Sequence, residues 1–223
     1  MSRIRGVIFD LDGTLVDSVP DIACAVDAMM RQLGLPGPGE SRVREWVGNG
    51  APRLVKRSLT GDMDGEPSTA AFERGYAIFL EAYRRNVLVS SRLYAGAREL
   101  LENLRTAGLD LACVTNKPAE FTGPLLDGLG IASYFDVVLS GDSLPRKKPD
   151  PLPLQHVMEC LSVGPDNIVM VGDSANDISA ARAAGVSIVC VSYGYNHGQD
   201  IREAGADIVI DALDELPALI ENF

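Results

Sequence analysis

The feature that most constrains this chain is a series of short, mostly apolar runs separated by helix-length stretches. From residue 93 onward the runs are Leu109–Thr115, Phe135–Leu139, Ile168–Val171, Val186–Val191 and Ile208–Ile210. Each is continuous rather than alternating. Strands of that kind are buried on both faces and belong to parallel sheets covered by helices. The intervening stretches supply the helices: 96–107, stopped by Gly108, then 119–129, 152–161, 174–184 and Leu213–Ile220. Arg5–Phe9 has the composition of the same sheet. The expected fold is α/β, a doubly wound, Rossmann-like parallel sheet, which binds ligands beyond the carboxyl ends of its strands.

Residues 18 to about 90 break this rhythm and contain no run that reads as a strand. Val19, Ile22, Val26, Met29 and Leu33 fall at helical spacing, with Ser18 and Asp21 as a capping-box start. Phe72, Tyr76, Phe79 and Tyr83 form a second helical stripe, and residues 61–68 are a loop rich in Gly, Asp and Pro. The insertion directly follows the first strand, so it hangs over the carboxyl ends of the sheet as a lid. The expected division is a core of residues 1–17 plus 91–223 and a helical cap of 18–90, with hinges near Asp17–Ser18 and 88–92. Closure of such a cap excludes water from a site beneath it.

Polar residues collect just past the strands. Asp10 and Asp12 follow the first, Thr115 and Asn116 the next, and Asp173, Ser174 and Asp177 the fourth. Lys148 lies in the loop Lys147-Lys148-Pro149-Asp150-Pro151. Crowded carboxylates repel one another unless a cation shares the site, and an all-oxygen set suits a hard cation such as Mg2+. With no His or Cys in the cluster, the set does not suit zinc. A lysine and a hydroxyl among acids suit a phosphate dianion. A carboxylate beside a cation can attack phosphorus, and a second one two residues on can protonate the leaving oxygen and later activate water.

Composition narrows the partners. A net charge of -11 repels phosphate backbones, which argues against nucleic acid. Nothing approaches a membrane span, and Val7-Ile8-Phe9 is too short to serve as a signal segment. Cys24, Cys113, Cys160 and Cys190 are scattered without a C-x-x-C pair, as expected of buried thiols in a reducing cytoplasm. Gly48-Asn49-Gly50 follows no strand and lacks the third glycine of a dinucleotide fingerprint. His156 and His197 read as surface or packing residues.

The segment Phe9-Asp10-Leu11-Asp12-Gly13-Thr14-Leu15-Val16-Asp17-Ser18 resembles the first signature of the haloacid dehalogenase superfamily. Thr115-Asn116-Lys117 is similar to its second motif, Lys148-Pro149 to its third and Gly172-Asp173-Ser174-Ala175-Asn176-Asp177 to its fourth. The resemblance implies a nucleophile at Asp10, a general acid and base at Asp12, a phosphoryl-binding Thr115 and a charge-neutralising Lys148. It also implies Mg2+ held by Asp10, Asp173 and the Asp12 carbonyl, with Asp177 as ligand or support. Asp12 points to phosphate esters, since dehalogenases of the superfamily lack an acid there. Trp46–Ala51 and Tyr193–Gly198 look like segments of bacterial phosphoglycolate phosphatases. By that likeness, Gly48, Asn49 and Asn116 are expected near the substrate. Arg53, which shares a helical spacing with Lys56 and Arg57, is expected to meet a substrate carboxylate.

The expected activity is hydrolysis of a small phosphorylated metabolite such as 2-phosphoglycolate by a cytoplasmic monomer or homodimer. A phosphosugar mutase on the same scaffold and a non-enzymatic phospho-acceptor regulator are the rivals. The cap speaks against the second, because a signalling domain needs no lid.

Overall fold

The computed structural model describes residues 4–220. The chain opens with β1 (Gly6–Phe9), turns through β2 (Val16–Asp17) and enters helices α1 (Val19–Gln32), α2 (Glu40–Trp46), α3 (Ala51–Thr60) and α4 (Thr69–Asn86). It returns through β3 (Arg92–Leu93) and then alternates: α5 (Ala97–Thr106), β4 (Asp110–Val114), α6 (Ala119–Gly128), β5 (Val137–Leu139), α7 (Leu152–Leu161), β6 (Ile168–Gly172), α8 (Ala175–Ala184), β7 (Ser187–Val191), β8 (Ile208–Ile210) and α9 (Leu216–Ile220). No described helix is long and apolar enough to cross a membrane.

Successive side chains of a strand point to opposite faces of the sheet, and here both faces are covered. Val7, Phe9, Leu111, Cys113, Val169 and Val171 pack with Leu100, Leu101 and Leu104 of α5, Leu125 of α6 and Leu216 of α9. Ile8, Ala112, Val114, Met170 and Ile188 pack on the other face with Leu154 and Val157 of α7 and Ile178 and Ala181 of α8. Each Val, Leu, Ile, Phe or Met among them, fully buried, contributes about 1.5–3 kcal/mol. This two-sided burial is why the strands carry apolar residues at successive positions.

The sheet runs β5-β4-β1-β6-β7-β8, with every neighbouring pair parallel. From β1 the chain winds outward through β4 and β5, then crosses back to β6 on the other side. The direction of winding therefore reverses at β1, and a crevice opens outside the carboxyl ends of β1, β4 and β6. Phe9 is level with Cys113 on one side and Val171 on the other, so Asp10, Thr115 and Asp173 emerge on the same edge.

The four helices of the insertion have an apolar centre of their own. Val19, Ile22, Val26 and Met29 of α1 pack with Val43, Trp46, Leu54, Phe79 and Tyr83, joined by Phe121 and Tyr195 from the sheet-bearing part. The two crossings between the parts lie side by side, because β2 and β3 pair antiparallel, Asp17 opposite Arg92. The expected capping box at Ser18 and Asp21 does not form. The Ser18 hydroxyl donates to Asp12 Oδ1 at 2.5 Å. The Asp21 carboxylate accepts from the N–H groups of Val89, Ser90 and Ser91 at 2.8–3.0 Å and from the Ser91 hydroxyl at 2.7 Å. Local spacing pointed to a cap, but three amide donors from the returning chain outcompete the helix's own.

Candidate active site

Asp10 is the first residue beyond β1, fixed by its N–H on the Val171 carbonyl at 2.9 Å. Its Oδ1 accepts from Leu11 N–H at 2.7 Å and lies 3.0 Å from Lys148 Nζ. Lys148 is buried and also donates to Asp177 Oδ1 at 2.7 Å. The other oxygen of Asp177 accepts from Ser174 N–H at 3.1 Å and Ser174 Oγ at 2.7 Å, the reciprocal capping box that starts α8. Asp173 Oδ1 accepts from Thr14 Oγ1 at 3.2 Å, and Oδ2 from Tyr195 N–H at 2.5 Å. Gly13 makes this approach possible. Its φ is +89°, and a Cβ there would stand 2.1 Å from Asp173 Oδ2.

One oxygen each from Asp10, Asp173 and Asp177 lies within 4.8 Å of the others. Two of the three, Asp10 and Asp177, share the ammonium of Lys148. Burial pushes Asp10 up to about 7 against the pull of Lys148, with Asp177 adding to the rise. Burial, then Asp177 and Asp10, hold Asp173 well above the usual carboxylate range. Burial alone would lower Lys148, but Asp10 and Asp177 outweigh it and keep the ammonium charged. A buried, all-oxygen set with this surplus of negative charge fits a hard divalent cation.

Above this floor, Asp10 and Asp12 line a cavity of about 50 Å³ together with Thr115, Asn116 and Lys117. Its roof is apolar: Ile22, Val47, Leu54 and Phe79 from the helical insertion, with Phe121 from α6 and the ring of Tyr83. Thr115 is held by its N–H on the Leu139 carbonyl at 2.9 Å, and its hydroxyl accepts from Lys117 N–H at 3.1 Å.

The residues expected near the substrate separate into two groups. Gly48 and Asn116 line the cavity. Asn116 Nδ2 spans the seam between the insertion and the sheet-bearing part, donating to the carbonyls of Gly48 and Lys148, each at 3.0 Å. Its Oδ1 is buried without a partner among the described residues. The Asn49 side chain turns to Asn176 Oδ1 at 3.2 Å, and its carbonyl accepts from Lys147 Nζ at 3.0 Å, so it clasps the seam. Arg53 stands apart from the cavity. Its guanidinium is taken by Glu66 at 2.7 Å, Asp64 at 3.1 Å and the Met63 carbonyl at 2.9 Å, and it is not among the described residues that line the cavity. Lys56 pairs with Glu66 as well, and buried Arg57 donates to the carbonyls of Trp46 and Met63. The basic face of α3 thus holds the 61–68 loop.

The cation that does line the cavity is Lys117, which the sequence reading gave no role. Its Nζ donates to both oxygens of Asp12, at 3.0 and 3.2 Å, and to the Tyr83 hydroxyl at 2.7 Å. Nothing in its local sequence separates it from a solvated loop lysine. His197, in the loop after β7, meets the insertion rather than the cavity, with Nδ1 2.8 Å from the Glu45 carbonyl.

Several known proteins are similar to this chain over nearly its whole length. The chain is 51% identical over 216 residues to the phosphoglycolate phosphatase of Nitrosococcus oceani, covering 97% of this chain and 96% of that one. It is 46% identical to the phosphoglycolate phosphatase of Nitrosospira multiformis, covering 98% and 96%. Among solved structures, a predicted phosphoglycolate phosphatase from Haemophilus somnus superposes with a TM-score of 0.91 at 35% identity, covering 98% of this chain and 99% of that one. The haloacid dehalogenase-like hydrolase family matches residues 4–185, which take in all four strand-end motifs, and the chain belongs to that family.

Proposed function

We propose that this chain is a Mg2+-dependent phosphomonoesterase that converts 2-phosphoglycolate to glycolate and phosphate through an aspartyl phosphate on Asp10. The observation that carries this assignment is the pair at the end of β1. Asp10 and Asp12 both face one narrow cavity, with Lys148 and the acid cluster directly beneath.

In the first half-reaction an Asp10 carboxylate oxygen attacks phosphorus. The Asp10 O–P bond forms as the bond from phosphorus to the glycolate oxygen breaks, and Asp12 gives its proton to that oxygen. In the second, Asp12 takes a proton from water, the water oxygen attacks phosphorus, and the Asp10 O–P bond breaks to release phosphate. Thr115 donates to a phosphoryl oxygen, and Lys148 offsets charge on Asp10 and the phosphate. Asp10 and Asp173 would hold Mg2+, with the Asp12 carbonyl beside them. Asp177, whose oxygens are engaged by Lys148 and Ser174, supports the set from behind. The ion supplies positive charge that stabilises the phosphoryl oxygens as they are transferred.

The substrate assignment is supported by the relatives named phosphoglycolate phosphatase, which match over nearly the whole chain. An opening of the helical cap, residues 18–90, about hinges near Asp17–Ser18 and 88–92 would admit substrate and release product. Cys113 and Cys190 are buried as expected, whereas Cys24 and Cys160 are exposed, and four free cysteines favour a reducing, cytoplasmic setting.

The test is phosphate release from a panel of small esters with Mg2+ or with chelator, for the wild type and Asp10→Asn. Metal-dependent release that vanishes in the variant, with 2-phosphoglycolate ahead in kcat/KM, is the expected result. Release spread evenly over the panel would remove the substrate assignment, and release that survives in Asp10→Asn would overturn the mechanism.

A further inference from the structure

Lys117 is the most conspicuous group left outside the chemistry above. Its side chain is 3% exposed, and a buried ammonium costs several kcal/mol unless it is paired. Both of its partners are informative. One is the carboxylate of Asp12, gripped on both oxygens. The other is Tyr83, near the end of α4, which brings the only polar side chain that the helical insertion contributes to the cavity wall among the described residues. The Tyr83 ring is itself fixed, stacked on Phe79 at 5.7 Å between centroids and tilted against Phe121 at 4.6 Å. The second restraint on Asp12, the Ser18 hydroxyl, also comes from the start of the insertion.

We propose that Lys117 and Tyr83 are positioning residues for Asp12: the Tyr83 hydroxyl fixes the ammonium, and the ammonium orients the Asp12 carboxylate toward the leaving oxygen, so that acid catalysis is complete only with the cap seated. This rests on the assignment of Asp12 as the general acid. An orientation error of an ångström or less at an acid is felt only where the leaving group needs its proton. Tyr83→Phe keeps the ring and removes one hydroxyl, so it isolates the link.

The experiment compares kcat/KM for ethyl phosphate, 2-phosphoglycolate and acetyl phosphate. Ethyl and acetyl phosphate are nearly the same size, but the alkoxide of the first needs a proton to leave and the carboxylate of the second does not. General acid catalysis contributes about 10²–10⁴-fold, so Tyr83→Phe is expected to lower kcat/KM by about tenfold on the first two esters and by less than about threefold on acetyl phosphate. Lys117→Met, which keeps the aliphatic stem, should show the same selective loss. In an Asp12→Asn background Tyr83→Phe should cost nothing further, because it acts through Asp12. Equal losses on all three esters would reduce Tyr83 to a packing role and overturn the proposal. A loss confined to 2-phosphoglycolate and carried by KM would overturn it too, by making Lys117 a carboxylate ligand. If Asp12→Asn itself fails to separate ethyl from acetyl phosphate, the acid assignment falls. If Asp12→Asn separates them and Tyr83→Phe does not, only the link through Lys117 falls.

Discussion

The floor and the roof of the cavity are built on opposite principles. The floor, at the ends of β1 and β6 with the loop after β5, packs Asp173, Asp177 and Lys148 out of water and leaves only Asp10 partly open to the cavity, all in fixed hydrogen bonds. The roof of Ile22, Leu54 and Phe79 offers area and excludes water. The floor stores unfavourable electrostatics for the sake of chemistry, and the roof supplies ordinary burial. Function and stability should therefore respond oppositely to changes in the two places.

The sharpest way to expose that contrast is Asp10→Asn. Turnover should fall by at least about 10⁴-fold, while the Tm of the metal-free protein holds or rises, since one of three crowded carboxylates is gone. A Tm that drops with activity would erase the distinction. Lys148→Met should lower kcat by about 10³-fold. Unlike Asp10→Asn it should destabilise by roughly 3–5 kcal/mol, because it strands two buried carboxylates; urea unfolding measures it. In the roof, Leu54→Ala should cost about 2–4 kcal/mol in the same unfolding experiment but less than about tenfold in kcat/KM. A larger kinetic than energetic effect there would mean the roof also handles the reacting atoms.

Mg2+ probes the floor alone. Asp10 stands at about 7 against an ordinary 3.8, so the metal-free fold takes up a proton relative to the unfolded chain. Its stability then falls as pH rises from about 4 through 7. A bound ion would relieve that cost once the proton has left. At a fixed Mg2+ concentration set to a hundred times the Kd at pH 8, it should stabilise by about 2.7 kcal/mol at that pH and by less at pH 5.5, where the proton competes, so the rise in Tm is larger at pH 8. Equal rises would place the ion elsewhere. The smallest effect belongs to Arg53→Ala. It loses exposed ion pairs worth about 1 kcal/mol or less and should leave kcat/KM within about twofold. A tenfold rise in KM would return Arg53 to the substrate.

The same contrast explains what the sequence disclosed. Doubly buried strands announce themselves as apolar runs, and the strand-end rule then gathers Asp10, Thr115 and Asp173 without any knowledge of contacts. Most strand and helix limits fall within a residue or two of those expected from the pattern, for instance Leu152–Leu161 and Ile208–Ile210. The insertion was less legible because its decisive contacts are remote. Tyr83 reads as one more apolar position in a helical stripe, and its hydroxyl meets a lysine 34 residues away. Lys117 reaches Asp12 across 105 residues. Arg53 has a helical spacing that a substrate-facing residue could share, yet spacing does not say which neighbour stands closest. Here the acidic loop at 61–68 does. Ser18 and Asp21 match a local capping pattern whose atoms are claimed by distant partners.

Asp21 has a mechanical consequence. By gathering the amides of residues 89–91, it lashes the outgoing and returning strands into one pin. A load hung from two separate cords can twist and sway as well as swing. Hung from one pin, it keeps a single axis, so a cap that opened as proposed would return Tyr83 to the same place above Lys117.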